Sequence, residues 1–492
     1  MDQESLRRPG SRNVAQRAAS LAALAVIAGS LAACAAVGPD YRRPDSTMPG
    51  AYPHAAAFET LNASREPVSL DTWWNGFKDP ALTKIVQRAL DQNLDLAASL
   101  ARVEQARAVA AHAGAQLLPE GSLGASVSKQ YQSTESALGR LGSALPGYDR
   151  NRTSYSVGAS ASWEIDIAGG LRRGAEAADA ELQAAEASHA GVRILVAAEA
   201  ADAYFRVRGA QDRIAIARQQ EETSRKLLEL VRLRLADGIG AERERAQAEA
   251  QLAQTRVTIP PLQIELETQL NRLDVLMGAQ PGTYAAELAS PTDRIVVPQI
   301  ALAQEPASLL QRRPDVIAAE RKLAASNAQI GVATAEYYPK LSLSALLGFE
   351  SLSAGKLFTG RAFQSAIGGG LRWRLFDFGR VDAEVAQARG AYAEALADYR
   401  KSMLRATEDV ENALISLIQL DAQSRELATE IDAQTRARNA SEDAYKGGAV
   451  SLYEVLEQDR ELLAARDQQA RVQSDNARAA VAAFRSLGGG WS

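Results

Sequence analysis

Cysteine is almost missing from this chain. Among 492 residues there is one, Cys34, and histidine occurs only at His54, His112 and His189. A disulfide framework is excluded, and three scattered histidines supply no zinc-ligand spacing. Missing too are the Walker phosphate loop, the dinucleotide-binding G-x-G-x-x-G, H-E-x-x-H and G-x-S-x-G, so neither an enzyme nor a cofactor is expected. No basic block relieves a net charge of −5, which argues against a nucleic-acid partner. Aromatic residues are only 5% of a chain that is 46% hydrophobic, so Ala, Leu and Val carry the apolar content and favour helix over sheet. Proline stops at Pro339. The last 153 residues have none and are rich in Ala, Glu, Gln and Arg, the composition of very long helices.

What is there begins with an address. Arg7, Arg8, Arg12 and Arg17 precede an apolar run from Ala18 to Ala33. That run is shorter than the about 20 residues a bilayer-spanning helix needs. A basic start, a short apolar core and small residues at its end describe a secretory signal peptide over 1–33. The end, Leu31-Ala32-Ala33-Cys34, resembles the bacterial lipobox, in which the cysteine takes a diacylglycerol and becomes the mature N-terminus. The plainer alternative is a small apolar residue at a cleavage point. Ala35 rather than Asp follows, which implies outer-membrane sorting. Pro39, Pro44, Pro49, Pro53 and Pro67 then make 34–78 an extended, lipid-anchored segment rather than a core.

The remainder is written twice. Asp95 to Ala125 aligns with Asp315 to Ala345, matching Pro119 to Pro339 and Leu123 to Leu343. Further on Trp163 pairs with Trp373, Gly169 with Gly379, Gly238 with Gly448 and Gly278 with Gly488. An internal duplication is the reading. Each half has two stretches of strict alternation, 121–131 and 153–167, then 340–350 and 363–376. In the second, Tyr155, Val157, Ala159, Ala161, Trp163, Ile165 and Ile167 alternate with Ser, Gly and acidic residues. Period-2 alternation alone equally describes a half-buried soluble sheet. An outer-membrane address turns it toward strands of a membrane barrel, apolar outward and polar inward. Four strands cannot close, and an open edge in lipid leaves backbone groups unsatisfied. Copies must therefore pool strands: two would supply eight and three twelve, and small polar inner faces suit the wider barrel.

After each second strand comes a long proline-free segment, 171–236 and 380–446, each about 100 Å if continuous at 1.5 Å per residue. Shorter helices are expected over 94–117, 242–277, 315–337 and 452–487, so that each long helix packs against two short ones. Gly238, Gly240, Gly447 and Gly448 fold the long helices back through αL caps. Pro260-Pro261 is expected to break the first returning helix. Ala- and Leu-lined helices of this length pack as coiled-coil neighbours, and a barrel continued by a helical cylinder is a conduit. The alternative is a solid bundle below a plugged barrel.

These residues resemble the outer membrane factors of TolC type, and among them the OprM/NodT-like efflux lipoproteins. The resemblance rests on Cys34-Ala-Ala-Val-Gly-Pro-Asp-Tyr41-Arg-Arg-Pro44, Trp73-Trp74-Asn-Gly-Phe77-Lys-Asp79-Pro80, Trp163-Glu-Ile-Asp166-Ile-Ala-Gly169, Leu310-Gln-Arg312-Arg313-Pro314-Asp315, Phe376-Asp377-Phe378-Gly379-Arg380 and Leu487-Gly-Gly-Gly-Trp491. It implies an α+β membrane protein: a homotrimer with a shared 12-stranded outer-membrane β-barrel continued by a 12-helix periplasmic α-barrel of coiled-coil hairpins. The repeats are then 79–280 and 306–492, joined by a linker, 281–305. Implied partners are a periplasmic adaptor, an inner-membrane RND pump and the lipid bilayer. The implied function is the outer-membrane exit duct of multidrug efflux. A type I secretion channel and a non-conducting structural or adhesive lipoprotein are the alternatives.

The same resemblance places a gate at the periplasmic turns. Glu454 and Glu457 match acidic-ring positions, and their i, i+3 spacing puts them on one helix face. Arg460 and Glu244 match positions that lock neighbouring coiled coils, and Tyr445 matches a tyrosine of that lock. Val450 stands where TolC-like members carry an arginine of the lock, which favours the Arg460 version. Plainer roles exist as well. Ser451-Leu-Tyr-Glu454 reads as a capping box, while Arg460 and Glu244 read as solvated helix charges.

Overall fold

The computed structural model describes residues 36–45, 50–63, 68–289, 295–300, 307 and 312–490. The expected signal peptide, Cys34, Leu310 and Trp491 lie outside the described residues. Among the described residues the chain is mostly helical, with four strands. It separates into two units, one of residues 1–43, 105–182 and 321–396, the other of 44–104, 183–320 and 397–492.

The first unit is built on an antiparallel sheet in the order β1 (Glu120–Tyr131), β2 (Asn151–Ile165), β3 (Lys340–Ser351) and β4 (Phe363–Arg372). Its register sorts the side chains. Leu123 lies opposite Ala159, which lies opposite Leu347, and Ala125, Val157 and Phe349 form the next such row. Between these rows lie Gly124, Gly158 and Gly348, and flanking them are Ser122 with Ser160 and Ser126 with Ser156, whose hydroxyls meet at 2.8 Å in both pairs. One face is therefore apolar and the other is Ser and Gly, because a period of two puts alternate residues on opposite sides. Neither face is covered: Leu123, Val127, Ile367 and Leu371 are all exposed. β4 ends at Arg372 rather than 376, since its partner begins at Lys340 and nothing pairs with Trp373 or Leu375. β2 likewise stops at Ile165, leaving Ile167 outside.

Each Trp at a strand foot is tied the same way. Trp163 Nε1 donates to the Leu117 carbonyl at 3.0 Å, and Trp373 Nε1 to the Tyr337 carbonyl at 2.9 Å. The chain then turns through Gly169 and Gly379, both at positive φ, into α5 (Gly170–Ala236) and α8 (Arg380–Lys446), each 67 residues. An acid satisfies each free helix start. Asp166 accepts from Leu171 N and Arg172 N, and Asp377 from Gly379 N and Val381 N.

The segment 34–78, expected to be an extended tether, is held to other elements at several described points. Arg173 donates to the Val37 carbonyl at 3.1 Å and to Asp40 at 2.7 Å, and Asn327 to the Pro39 carbonyl at 2.8 Å. In the second unit α1 (Ala55–Asn62) buries Phe58, while Asn62 trades two hydrogen bonds with the backbone of Ile300. Prolines in this segment leave backbone groups free, and side chains from other elements capture them.

The second unit has an aromatic core. Trp73 stacks on Phe484 with centroids 5.3 Å apart, and Phe77 meets Phe205 at 4.9 Å. Asp79 caps α2 (Pro80–Gln92) through Ala81 N at 2.9 Å and accepts from the Tyr204 hydroxyl, on which Arg208 also lies at 3.0 Å. Burial, first of all, raises the Tyr204 pKa above its ordinary value. The start of the expected linker is docked too, for Asp274 accepts from the backbone of Gly282, Thr283 and Tyr284. The other helices are α3 (Leu94–Ala115), α4 (Ala137–Ser143), α6 (Glu242–Leu276), α7 (Pro314–Ala335) and α9 (Leu452–Ser486). The expected break at Pro260-Pro261 does not occur, because α6 runs through both. The two prolines are exposed, while Ile259, Leu262 and Leu266 pack with Ile214 and Ala217 of α5. Freed carbonyls there face water, and packing holds the axis.

Candidate gate at the helical turns

Each long helix reverses through glycine. After α5, Gly238 sits at φ +73°, and Ile239 N and Gly240 N both donate to the Arg234 carbonyl at 2.9 and 3.0 Å. After α8, Gly448 sits at φ +75°, with Gly448 N on the Tyr445 carbonyl and Ala449 N on that of Ala444, both at 2.9 Å. These are αL helix stops, in which the reversal absorbs the last free carbonyls. Ile239, at the first tip, is 71% exposed.

The returning helices start differently from expectation. Ser451 is the N-cap of α9, but its side chain makes no capping bond, so the expected Ser451–Glu454 capping box is not formed. Glu454 N reaches the Ser451 backbone carbonyl instead, at 3.1 Å. The capping glutamate is Glu244, whose Oε2 accepts from Ala241 N at 3.4 Å. Beside it Arg245 holds the Glu242 carboxyl below the usual carboxylate range.

Glu457 and Arg460, one turn apart on α9, form an ion pair, and Arg460 Nη2 also reaches Glu461 at 2.7 Å. Arg460 Nε is buried and makes no hydrogen bond. Glu244, Glu457 and Arg460 come together on the wall of one 860 Å³ hollow, with Arg234, Arg243 and Tyr453. Tyr445 and Glu454 do not line it. Tyr445 is half-buried at the second turn, where its carbonyl takes part in the helix stop.

Sequence reasoning missed the pairs that tie one helix to the next. Arg438 of α8 donates to Asp459 of α9 at 2.9 Å and also pairs with Glu442. Lys446 first, and Arg438 after it, hold the Glu442 carboxyl below its ordinary range. Higher up, Arg213 grips Asp467 with two bonds of 2.8 and 3.1 Å, and Arg478 reaches Asp202 at 2.7 Å. The i, i+4 run Arg438, Glu442, Lys446 was visible in the sequence, but pairing across helices depends on a register that spacing does not supply.

With this geometry in view, comparison with known proteins adds the following. The sequence model of the family described as outer membrane efflux protein matches residues 85–279 and 306–489. The pyoverdine export outer membrane protein OpmQ of Pseudomonas aeruginosa is 35% identical, over 88% of this chain and 90% of its own. Nodulation protein T of Rhizobium leguminosarum bv. trifolii is 28% identical, over 93% and 94%. Among solved structures, the outer-membrane channel OprN superposes with a TM-score of 0.82 at 33% identity, covering 92% of this chain and 99% of that one.

Proposed function

We propose, from the fact that this chain belongs to the outer membrane efflux protein family, that it is the exit channel of a tripartite RND-type efflux assembly. It acts as a homotrimer, gated at its periplasmic tips and opened by a periplasmic adaptor. Selection of cargo then rests with the pump, and the duct performs no chemistry.

One observation carries this reading: the sheet has an exposed apolar face, a Ser and Gly face, and two bare edges, β1 and β4. Bare edges are untenable in hydrocarbon, where each free backbone group costs several kcal/mol. Three copies close the edges into twelve strands and turn the Ser and Gly face toward a water-filled bore. The length fits. Twelve residues of β1 at about 3.4 Å each, tilted about 40°, rise about 30 Å, the depth of a bilayer core. The scarce aromatics also gather where girdles belong, with Tyr131, Phe349, Phe358 and Phe363 at one end of the sheet. Trp163, Trp373 and Tyr337 gather at the other. The repeated Trp and acid-cap geometry supports descent by duplication.

The gate reading follows from charge. Three copies bring three Glu457 carboxylates to one axis, each held by its own Arg460, with Glu454 on the same helix face. Cys34 carries the lipid, a few residues before the stretch Val37 to Pro39 that Arg173 and Asn327 clamp. Single-channel recording of the full-length protein in planar bilayers tests the duct. Low resting conductance that rises in Glu457→Ala is expected, and no conductance under any condition overturns the reading in favour of a structural lipoprotein.

A further inference from the structure

The loop between β1 and β2 carries an apolar stripe that nothing among the described residues covers. Leu138 and Leu141, one turn apart on α4, and Leu145 just beyond it are 75%, 71% and 66% exposed. This is a built element. Ser136 caps the helix by accepting from Gly139 N at 3.1 Å. Gly139 and Gly142 face back into the loop so closely that a Cβ would sit 1.8 Å from the Ser133 carbonyl oxygen and 2.2 Å from the Tyr148 ring. With the glycines turned inward, the leucines are held outward.

Both tethers of α4 come from the Ser and Gly face of the hairpin. Gln132 extends the alternation of Ser126, Ser128 and Gln130, since the ladder continues through Gln132 N to the Arg150 carbonyl at 2.9 Å. Its Nε2 donates to Ser136 Oγ at 2.6 Å, at the start of α4. Arg152, opposite Gln130 in register and so on the same face, stacks over Tyr148 at 4.4 Å, the ring against which Gly142 packs. The helix is therefore drawn toward the face that lines the bore. It starts six residues beyond the end of β1, an edge strand at which the next copy must pair.

We propose that the leucine stripe docks on the same stripe of the other copies, so that three α4 helices form an apolar constriction across the outer mouth. This rests on the trimeric barrel of the preceding subsection and adds to it a second barrier, at the end of the sheet away from Trp163 and Trp373. An apolar ring of this kind impedes ions by dewetting and yields to a larger, amphipathic cargo. The lipid leaflet is the competing occupant. The tethers argue against it, because they come from the face turned away from lipid.

Cys34 is the chain's only cysteine and is consumed by the lipid in this reading, so a new cysteine is the only free thiol. The full-length protein carries Leu138→Cys, Leu141→Cys or Leu145→Cys in turn, with Thr359→Cys in the β3–β4 loop as a control. Treatment with a two-carbon bis-maleimide should yield covalent dimers at the leucine positions and none at the control. A Leu138→Ser/Leu141→Ser/Leu145→Ser variant should at least double single-channel conductance in a Glu457→Ala background. Reactive thiols without dimers, in a protein that native mass spectrometry shows to be trimeric, overturn the constriction alone. So does quenching, by brominated phospholipid, of a bimane placed on Leu141→Cys, which assigns the stripe to the leaflet. A protein that is not trimeric overturns the barrel reading and the constriction with it.

Discussion

The Glu457–Arg460 pair makes the gate testable, because its two partners carry opposite charge yet belong to one bond. Both side chains are about two-fifths exposed, 38% and 42%, so the pair is worth about 0.2–1 kcal/mol. In the proposed homotrimer, an opening that breaks the pair in all three copies costs three times this, about 0.6–3 kcal/mol. At RT of about 0.59 kcal/mol the ratio of open to closed channels then shifts by about 3-fold to about 150-fold. Arg460→Ala and Glu457→Ala should both raise open probability within that range, since either removes the bond.

Their effects on ion selectivity should part. Arg460→Ala deletes three cations from the axis and leaves Glu457 and Glu461 uncompensated, so reversal potentials move toward cation selectivity. Glu457→Ala deletes three anions, while Arg460 keeps Glu461 at 2.7 Å, so selectivity moves the other way. The selectivity difference should shrink at 1 M salt, where the screening length is about 3 Å. Single-channel recording under a salt gradient reads both quantities. If the selectivities separate while neither variant changes open probability, these are charges near a pore and not a lock, and the gate reasoning fails.

Other parts of the chain give further outcomes. Arg313, 8% exposed, donates to Asp315, to Asp409 and to the carbonyls of Ala406 and Ser486. Arg313→Met strands the buried Ser486 carbonyl, while that of Ala406 keeps its helical bond, so a loss of about 1–3 kcal/mol should appear as an earlier thermal loss of helical circular dichroism. Arg313→Lys should rescue little, because one ammonium does not reproduce the fork. Lys84 first, with Arg88, holds the Glu287 carboxyl below its usual range. Its contribution is therefore present above the unfolded value near about 4.3 and is lost as pH falls through the lower folded value. Glu287→Gln should lower the melting midpoint at neutral pH, and the difference should vanish in strong acid. Cys34→Ala should abolish palmitate labelling of the expressed protein, and persistent labelling refutes the lipid assignment.

Much of the architecture was legible because it rests on short-range rules. Alternation over 121–131 gives β1 almost residue for residue, and freedom from proline gives α8 over its whole length. What was not legible depended on partners remote in sequence. The foot of β4 is set by where β3 begins, which no periodicity in 363–376 contains. Pro260-Pro261 predicts a break from local chemistry alone, and contacts from Ile214 and Ala217 override it. Proline-rich 34–78 looks like a tether until Arg173, Asn327 and Ile300 are seen to hold it. At the candidate gate, resemblance located the glutamates and Arg460, but the register across α8 and α9 was needed to find Arg438 and Asp459.

Where the two halves agree and where they differ bears on how such a channel moves. At the sheet-to-helix junctions they agree closely: Trp163 and Trp373 bond equivalent carbonyls, and Asp166 and Asp377 cap equivalent helices. In the proposed closed barrel, a junction shared by its strands has one geometry that fits, so divergence there is costly. At the turns they differ. The first tip presents Ile239, and its returning helix starts on a capping glutamate and carries two prolines. The second returns without prolines, bears the Glu457–Arg460 pair and is latched to its own long helix by Arg438 and Asp459. The first hairpin is also tied across its own helices, by Arg232–Glu249 at 2.9 Å and Arg256–Glu221 at 2.8 Å, so what sets the second apart is the Glu457–Arg460 pair, and the proposed gate assigns opening to that hairpin. Arg438→Ala should then loosen the tip as Arg460→Ala does, and charge reversal at Asp459 should not be rescued by any change in the first hairpin. Rescue of the Asp459 reversal by Arg438→Glu in recordings of open probability places the latch where the structure has it, and rescue from a residue of α6 would refute this division of labour.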